Sequence, residues 1–574
     1  MCGTDQHDHD HTHDHEHGDD HGHHCCSYGE DYERNLAEAR AHARRGNVTR
    51  RQVLRGIGAA GLLIAGGGIS AGGAFAADPR TGRPLAVRAY RPQGADEFDG
   101  YYFLSGDHHI HTRYSADAKY AVQRQVAEAH YHGLDWMVIT DHGSAAHNKI
   151  SVDLTYPDVV GARDAFKEML LFTGLEMNIP GAEHGTVMML PTTGERDQIK
   201  AFESAYDGAI VTGTEEKAQE GLRYLQGLDP RPLFFANHPA RRGLDSPHEI
   251  RAWKAAGPDI AYGFEGAPGH QAAGLIRDRE GKIVSYRGFY GNIPEAGAWP
   301  GYPLEAYFTY GGFDWMTATL GGLWDALLGD GIRWWITANS DAHKYFNDLQ
   351  DVDNKEFNTL GYVKEVDRYF QQPTYGDFRP GEYSRTYAIT QERSYAAVMD
   401  SLRAGRMFVV QGDLIDALKF TAASDGSAVM SGGTLEVAAG ADVLVTIKAR
   451  IPAAANAHHD RPAVDHIDLI AGDINNLSRT VGQDNFVNPS TRVVETFQQG
   501  YWDEQFDPDG LTITIYYRFE RVTGDFYIRL RGTNTDDRGA TPAMDADQRG
   551  QIVEPNSPWD SLWFYANPIF VKVS

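Results

Sequence analysis

Cysteine is almost missing from this sequence of 574 residues. Its three cysteines, Cys2, Cys25 and Cys26, all fall at the extreme N-terminus. Beyond Cys26 the chain can form no internal disulfide, supply no thiolate nucleophile and hold no cysteine-ligated zinc. Basic charge is also scarce: 53 Lys and Arg stand against 79 Asp and Glu, for a net charge of −26. Sequence-independent nucleic-acid binding rests on phosphate neutralisation by Lys and Arg, so no nucleic-acid binding is expected. One apolar run alone, Gly56 to Ala76, is long enough to span a bilayer. No internal repeat is visible. What is present is globular composition, with 41% hydrophobic and 23% charged residues. The length exceeds one ordinary domain of about 150 residues, although a barrel can use about 250 as one unit.

The first 76 residues read as a His-rich tail followed by a signal peptide. Residues 5–24 alternate His with Asp and hold nine of the 25 histidines. Such a tract cannot bury a core; it is a polar tail able to bind divalent metals loosely. Arg50-Arg51-Gln52-Val53-Leu54 then precedes the charge-free run, which ends in Ala74-Phe75-Ala76. A charged n-region, an apolar h-region and a small-x-small site form a secretory pattern. The twin arginine resembles a Tat signal, and the glycine-rich h-region suits it. The expectation is export to the periplasm or beyond through the Tat translocase, with cleavage near Ala76/Ala77 and no stable membrane span afterwards. The alternative is an uncleaved N-terminal membrane anchor.

Residues 77–103 read as a linker. From 104 to 410, short apolar runs alternate with helical patterns. The strand candidates are Phe103–Gly106, Trp136–Thr140, Leu170–Leu175, Thr186–Leu190, Leu233–Asn237, Ile260–Phe264 and Trp334–Ala338. Val122, Val126 and Ala129 mark one face of a helix over 121–132. This alternation predicts a parallel α/β barrel or a doubly wound sheet, and seven strands fit the barrel better. Two insertions are expected: a helical one near 195–230, and one rich in Gly and aromatics near 266–332. In the second, Trp324, Leu327 and Leu328 have helical spacing, while Tyr302, Tyr307 and Tyr310 could wall a pocket or form a lid. A polar loop is expected over 345–385. From 411 to 574, alternating strands such as Val443–Lys448, His466–Ala471, Thr512–Tyr517 and Phe526–Arg531 predict a β-sandwich. Its Asp507–Gly510 turn reads as a turn and not a calcium site.

Histidines and carboxylates recur just after the strand candidates, the catalytic end of a parallel barrel. The first is followed by Asp107-His108-His109-Ile110-His111, with Asp117 close behind. In extended chain His109 and His111 share a face and His108 points away. Asp141-His142 follows the second and Glu176 the third, with His184 at the next turn. His238-Pro239 follows the fifth, and Asp341-Ala342-His343 the seventh. Imidazole and carboxylate are the ligands that Zn, Mn and Fe accept, and nine such residues exceed the needs of one tetrahedral ion. Two or three divalent metal ions (Zn, Mn or Fe) are implied.

In this order the motifs resemble the PHP (polymerase and histidinol phosphatase) superfamily over about residues 104–345. The resemblance implies a distorted (β/α)7 barrel followed here by the C-terminal β-sandwich, a di- or trinuclear site and phosphoesterase activity. It carries the ligand roles onto His109, His111, Asp117, His142, Glu176, His184, His238, Asp341 and His343. Asp117 departs from the pattern, lying six residues after His111 where many members have five.

The expected function is a metal-dependent phosphoesterase that attacks a small-molecule phosphoester with a metal-bridging hydroxide. Glu176 would bridge, and Asp341 would ligate metal and orient the nucleophile or take its proton. The leaving alkoxide needs a proton or a cation, from Arg113, His147, Arg241 or His270; His270 and Arg241, with Asp341, head the catalytic candidates. Asp141 is a candidate to fix a neighbouring imidazole, or simply to cap a turn. Two rival readings are an exported metallo-hydrolase of carbamates or other carboxyl esters on the same site, and a metal-binding or storage protein without catalysis.

Overall fold

The computed structural model describes residues 97–270, 276–277, 283–285, 294–307, 309–344, 356–364, 377–502, 510–537 and 558–574. The His-rich tract, the Tat-like segment and its cleavage site lie outside the described residues. So do most of the linker, residues 271–275, 278–282 and 286–293 of the second expected insertion, much of the 345–385 loop and Asp507–Asp509. No helix among the described residues is long and apolar enough to cross a membrane.

The protein is mixed α/β, built on one large sheet. After a two-residue edge strand at Glu97–Phe98, its next seven strands are β1 (Tyr101–Asp107), β2 (Trp136–Ile139), β3 (Leu170–Asn178), β4 (His184–Met189), β5 (Leu233–Ala236), β6 (Ala261–Pro268) and β7 (Trp335–Asn339). Each overlaps one of the seven strand candidates. Their near-continuous burial is that of strands covered on both faces. Helices cover them: α1 (Val122–Tyr131), α2 (Val152–Ala165), α3 (Glu195–Tyr206), α4 (Glu215–Gln226), α5 (Pro247–Ala256) and α6 (Leu323–Gly329). Val122, Val126 and Ala129 of α1 are buried together as their spacing requires, and Trp324, Leu327 and Leu328 of α6 are likewise core.

The parallel expectation fails at one strand. The order runs β7-β6-β5-β4-β3-β2-β1, and β4 pairs antiparallel with both neighbours. Only residues 179–183 separate β3 from β4, enough for a hairpin but too few for the crossover a parallel strand needs. The inversion has a consequence for the site. It places His184, the first residue of β4, opposite Asn178 at the end of β3.

β7 and β1 share no continuous ladder. Past the strand ends a single bridge joins Ile110 to Ala342, with Asp341 N donating to His109 O and His111 N to Ala342 O, both at 3.0 Å. Along the rest of β7 the free backbone edge is satisfied by side chains. Thr386 Oγ1 accepts from Ala338 N at 2.8 Å and donates to Ala338 O at 3.0 Å. Asn567 accepts from Ile336 N and donates to Ile336 O. A buried strand edge left without such partners would be costly.

Beyond β1 the same sheet continues through β8 (Ser384–Thr390) and β9 (Met407–Gln411), with α7 (Tyr395–Ala404) between them. The C-terminal strands are β10 (Ala417–Ser424), β11 (Ser427–Met430), β12 (Thr434–Val437), β13 (Val443–Arg450), β14 (His466–Asp473), β15 (Arg492–Gln498), β16 (Thr512–Phe519), β17 (Phe526–Thr533) and β18 (Trp563–Val573). The large sheet runs on from β9 through β18, β17 and β14 to β15, with β12 alongside β18. A four-stranded sheet, β11-β10-β13-β16, shares a core with it. Phe420, Val445, Ile447 and Ile515 from the small sheet pack with Leu469, Ile528, Leu530 and Phe564 from the large one. Two layers are thus present, but one of them is an extension of the first region's sheet. A buried bidentate pair, Arg529 Nε and Nη2 on Asp325 at 2.7 Å each, ties β17 to α6.

Candidate metal centre and active site

Segments following β1, β2, β5 and β7, with the end of β3 and the start of β4, deliver imidazoles and carboxylates to one place. Glu176 is at the centre and fully buried. Its Oε1 lies 3.0 Å from His109 Nε2, 3.2 Å from His184 Nδ1 and 3.3 Å from His238 Nε2. Its Oε2 lies 2.7 Å from His142 Nδ1 and 3.3 Å from His111 Nε2. Asp341 Oδ1 approaches His109 Nε2 at 3.1 Å, His111 Nε2 at 3.3 Å and His343 Nδ1 at 3.4 Å. Asp117, half exposed, reaches His142 Nε2 at 3.3 Å and His343 Nε2 at 3.5 Å. All nine residues expected as ligands therefore meet in one cluster. His111/His142/His343, His109/His111/Asp341, His109/Glu176/His238 and His142/Glu176/His184 each bring three ligand atoms within 4.8 Å of one another.

The hydrogen-bond chemistry fits metal ions. His109 gives its Nδ1 to Glu265 Oε1 at 2.8 Å, which leaves a lone pair on Nε2. His111 Nδ1 meets Ser115 Oγ at 3.0 Å, and that hydroxyl donates to Asp141 Oδ1 at 2.9 Å. The Ser115 oxygen must then accept from His111, so His111, when neutral, carries its lone pair on Nε2. The two Nε2 atoms face each other at 3.0 Å. With both rings neutral, two acceptors at that distance repel, and a proton or a metal ion between or beside them relieves the contact. Buried Glu176 Oε2 and both Asp341 carboxylate oxygens likewise find no hydrogen-bond donor in good geometry among the described residues. Fixing the tautomer of a ligating histidine through its second nitrogen is a recurrent device of metal sites.

Although burial opposes it, Asp341, Glu176 and Glu265 raise His109 well above the usual imidazole range, and Asp341 and Glu176 raise His111, so the same carboxylates that would hold a metal ion hold a proton on these rings in its place. Burial alone would raise the Glu176 carboxyl, but His109, His184 and His142 pull it well below the usual carboxylate range. Asp341 is also held well below that range, His109, His270 and His343 outweighing its burial. Burial and the neighbouring Arg241 push His238 down to about 3, so it is a neutral imidazole and ready to ligate. Burial and His111 lower His343 to about 4. His238 and Asp341 also adopt left-handed backbone, with φ of 30° and 51°. Non-glycine residues pay for that conformation, and such strain gathers at functional positions.

Of the four residues considered for leaving-group chemistry, two border the cluster. His270 Nδ1 is 3.8 Å from Asp341 Oδ2 and 3.7 Å from Asp377 Oδ1. Arg241, 9% exposed, donates Nη2 to Glu183 Oε1 at 2.7 Å, and its Nε finds no acceptor. His147 instead turns to Glu203 at 2.9 Å, and the Arg113 guanidinium stacks over Tyr362. Asp141 does not fix His142, its sequence neighbour. It accepts from Thr112 N, Thr112 Oγ1 and Ser115 Oγ, and so orients His111. His108 points away as expected, bonding Thr337 Oγ1 and stacking on Phe235. Tyr302, Tyr307 and Tyr310, the aromatics expected to wall a pocket or close a lid, are all buried.

Sequence reasoning passed over five groups. Glu265 accepts from His109 Nδ1, His238 N and Asn339 Nδ2. Asn237 donates to Glu176 Oε1 at 2.9 Å. Ser115 carries the His111 bond. Asp377 accepts from the backbone of His343 and Lys344. Glu183, held down to about 2 despite burial by Arg241, His184, His238 and Arg242, anchors the arginines. Glu265 left a signal, a carboxylate inside the apolar strand Ala261–Pro268, and Glu183 stands directly before His184. The other three are polar residues of kinds common in loops.

No known family profile matches the sequence, and no curated protein matches it. Among solved structures, the chain is similar to a two-domain protein of Bacteroides vulgatus ATCC 8482 that contains a predicted PHP-like metal-dependent phosphoesterase. The identity is 14%, over 77% of this chain and 95% of that one, with a TM-score of 0.33. It is also similar to a candidate metal-dependent phosphoesterase of Bifidobacterium adolescentis ATCC 15703. There the identity is 15%, over 28% of this chain and 76% of that one, with a TM-score of 0.19. Likenesses of this size leave the activity to be read from the residues themselves.

Proposed function

We propose that this chain is a metal-dependent hydrolase of small phosphoesters, exported by its Tat-like signal and working on a (β/α)7-type barrel. The reading rests on one observation: Nε2 of His109 and of His111, each the nitrogen left for a ligand by the partner on its Nδ1, face each other at 3.0 Å beside the buried carboxylates of Glu176 and Asp341. His109, His111, Glu176, His238 and Asp341 would hold the inner ions, and His142, His184, His343 and Asp117 the outer positions. Bound divalent ions supply two things there, a lowered pKa for water (from 15.7 towards about 7) and charge neutralisation on a phosphoryl group.

The chain's own groups supply the rest. Arg241, fixed by Glu183, offers an unpaired buried Nε–H to an anionic oxygen. That cation favours a phosphoester over a carboxyl ester, which needs no such partner. His270, between Asp341 and Asp377 and about a quarter exposed, is the group that would hand a proton to the departing oxygen. Asp341 orients the attacking water or takes its proton.

The test is a panel of p-nitrophenyl phosphate, bis(p-nitrophenyl) phosphate, p-nitrophenyl acetate and an aryl carbamate, given to metal-loaded protein beginning at Ala77. Turnover of a phosphoester that Arg241→Met removes, with metal content unchanged, supports the reading. Turnover of the acetate or carbamate alone, indifferent to Arg241→Met, would replace it with the carboxyl-ester alternative.

A further inference from the structure

The segment carrying Arg241 and Arg242 is bonded at several points to the 294–315 segment. Asp314 Oδ2 accepts from Ala240 N at 3.0 Å. Glu295 N donates to Arg242 O, and Trp299 N to Gly243 O at 2.8 Å. Tyr302 Oη donates to Asp245 O at 2.6 Å. Gly243 has φ of 75°, and a Cβ there would lie 2.3 Å from Tyr307 Oη, so the loop lies flush against the 294–315 segment. Arg242 Nε is itself shared between Glu183 Oε2 at 3.3 Å and Glu295 Oε2 at 3.4 Å.

That supporting segment is closed from behind by the C-terminal region. Phe486, in the connection between β14 and β15, inserts among Trp299, Tyr302 and Trp315. The ring centroids are 5.7, 6.1 and 6.0 Å away, two of the pairs being edge-to-face. The same connection is docked at further points: Asn488 N donates to Gly321 O, Asn475 N to Gly329 O and Arg251 Nη1 to Gln483 O. Trp299, through its backbone N–H, and Tyr302, through its hydroxyl, hold the arginine loop by hydrogen bonds, and both are among the three aromatics around Phe486.

We propose that Phe486 is a positioning residue for the Arg241–Arg242 loop, so that the C-terminal region completes the anion-binding side of the site. The proposal rests on the phosphoester reading for its consequence in catalysis, but not for its structural content. Phe486→Ala removes one face of the aromatic cage and loosens Trp299 and Tyr302. The guanidinium of Arg241 then becomes more accessible, while the metal cluster keeps its ligands: only His238 shares this segment, and its N–H is anchored on Glu265 of β6 at 2.8 Å.

The test uses the whole mature chain. Phenylglyoxal labelling of Arg241, followed by peptide mass spectrometry, reads loop position without any substrate. Phe486→Ala should label about tenfold faster than the parent, Phe486→Tyr at the parental rate, and metal content should be equal in all three. Val445→Ala, a cavity in the distant C-terminal core, should lower stability without changing the labelling, which separates positioning from general loosening. With a phosphoester substrate, KM should rise about tenfold in Phe486→Ala with kcat within about twofold, the pattern of lost uniform binding. Unchanged Arg241 labelling in Phe486→Ala, or equal acceleration in Val445→Ala, would overturn the proposal. Faster labelling in a protein that cleaves no phosphoester would uphold it and reject the phosphoester reading instead.

Discussion

Replacing Glu265 by Gln tests whether the cluster is a metal centre with assigned tautomers. Glu265 accepts three bonds: Oε1 takes His109 Nδ1–H at 2.8 Å and Asn339 Nδ2 at 2.9 Å, and Oε2 takes His238 N–H at 2.8 Å. A glutamine has one acceptor oxygen and a donor amide. If its oxygen faces His109, its NH2 meets the His238 N–H, donor against donor. If it turns over, the amide faces His109 Nδ1 and drives the proton to Nε2, removing the lone pair that ligates. Either outcome loses a buried hydrogen bond worth about 1–3 kcal/mol. Loss of such a supporting group typically weakens metal binding about 10–100-fold, or about 1.4–2.7 kcal/mol. Competition with a chromogenic chelator measures this directly. Metal affinity within about twofold of the parent, in a variant that melts normally, would refute the tautomer assignment.

Three further outcomes are expected. Burial lowers buried His132 from 6.5 to about 4, so between those pH values the unfolded chain binds a proton that the folded chain does not. Stability should fall as pH drops from 6.5 to 4, by an upper limit of about 3 kcal/mol, and His132→Phe should flatten that part of a urea-denaturation pH series. Thr386→Val keeps the shape but strips both bonds to Ala338, and should cost about 1–3 kcal/mol in chemical denaturation. A Cβ on Gly143 would lie 1.9 Å from Asp207 Oδ2, so Gly143→Ala should shift the segment that carries His142 and reduce metal occupancy at the outer positions, read by elemental analysis.

Much of this arrangement was legible in the chain because two regularities coincide. Apolar runs such as Trp136–Ile139 and Leu233–Ala236 are too short and too bounded to be anything but buried strands, and the ligands His142 and His238 sit three and two residues past them. His109 and His111, spaced by one, had to share a face. The direction of β4 was written in the five-residue spacing between Asn178 and His184, a length that forces a hairpin, but strand alternation alone suggested parallel order. The supporting groups were harder to see because their roles depend on tertiary neighbours. Glu265 acts on His109 across 156 positions, and Asp377 comes from a loop. The C-terminal strands were visible as alternating patterns, but not that β18 would pair with β9 and merge two expected units into one sheet. That pairing joins segments more than 150 residues apart, and no local pattern encodes it.

The most direct measurement is the metal content of the chain from Ala77 onward, beside Asp341→Ala and Glu176→Gln, by elemental analysis after exhaustive dialysis. The account predicts two or three tightly held divalent transition metals per chain, reduced in both variants while the fold persists. Less than one metal per chain, unchanged in the variants and not restored by adding Zn, Mn or Fe, would contradict it.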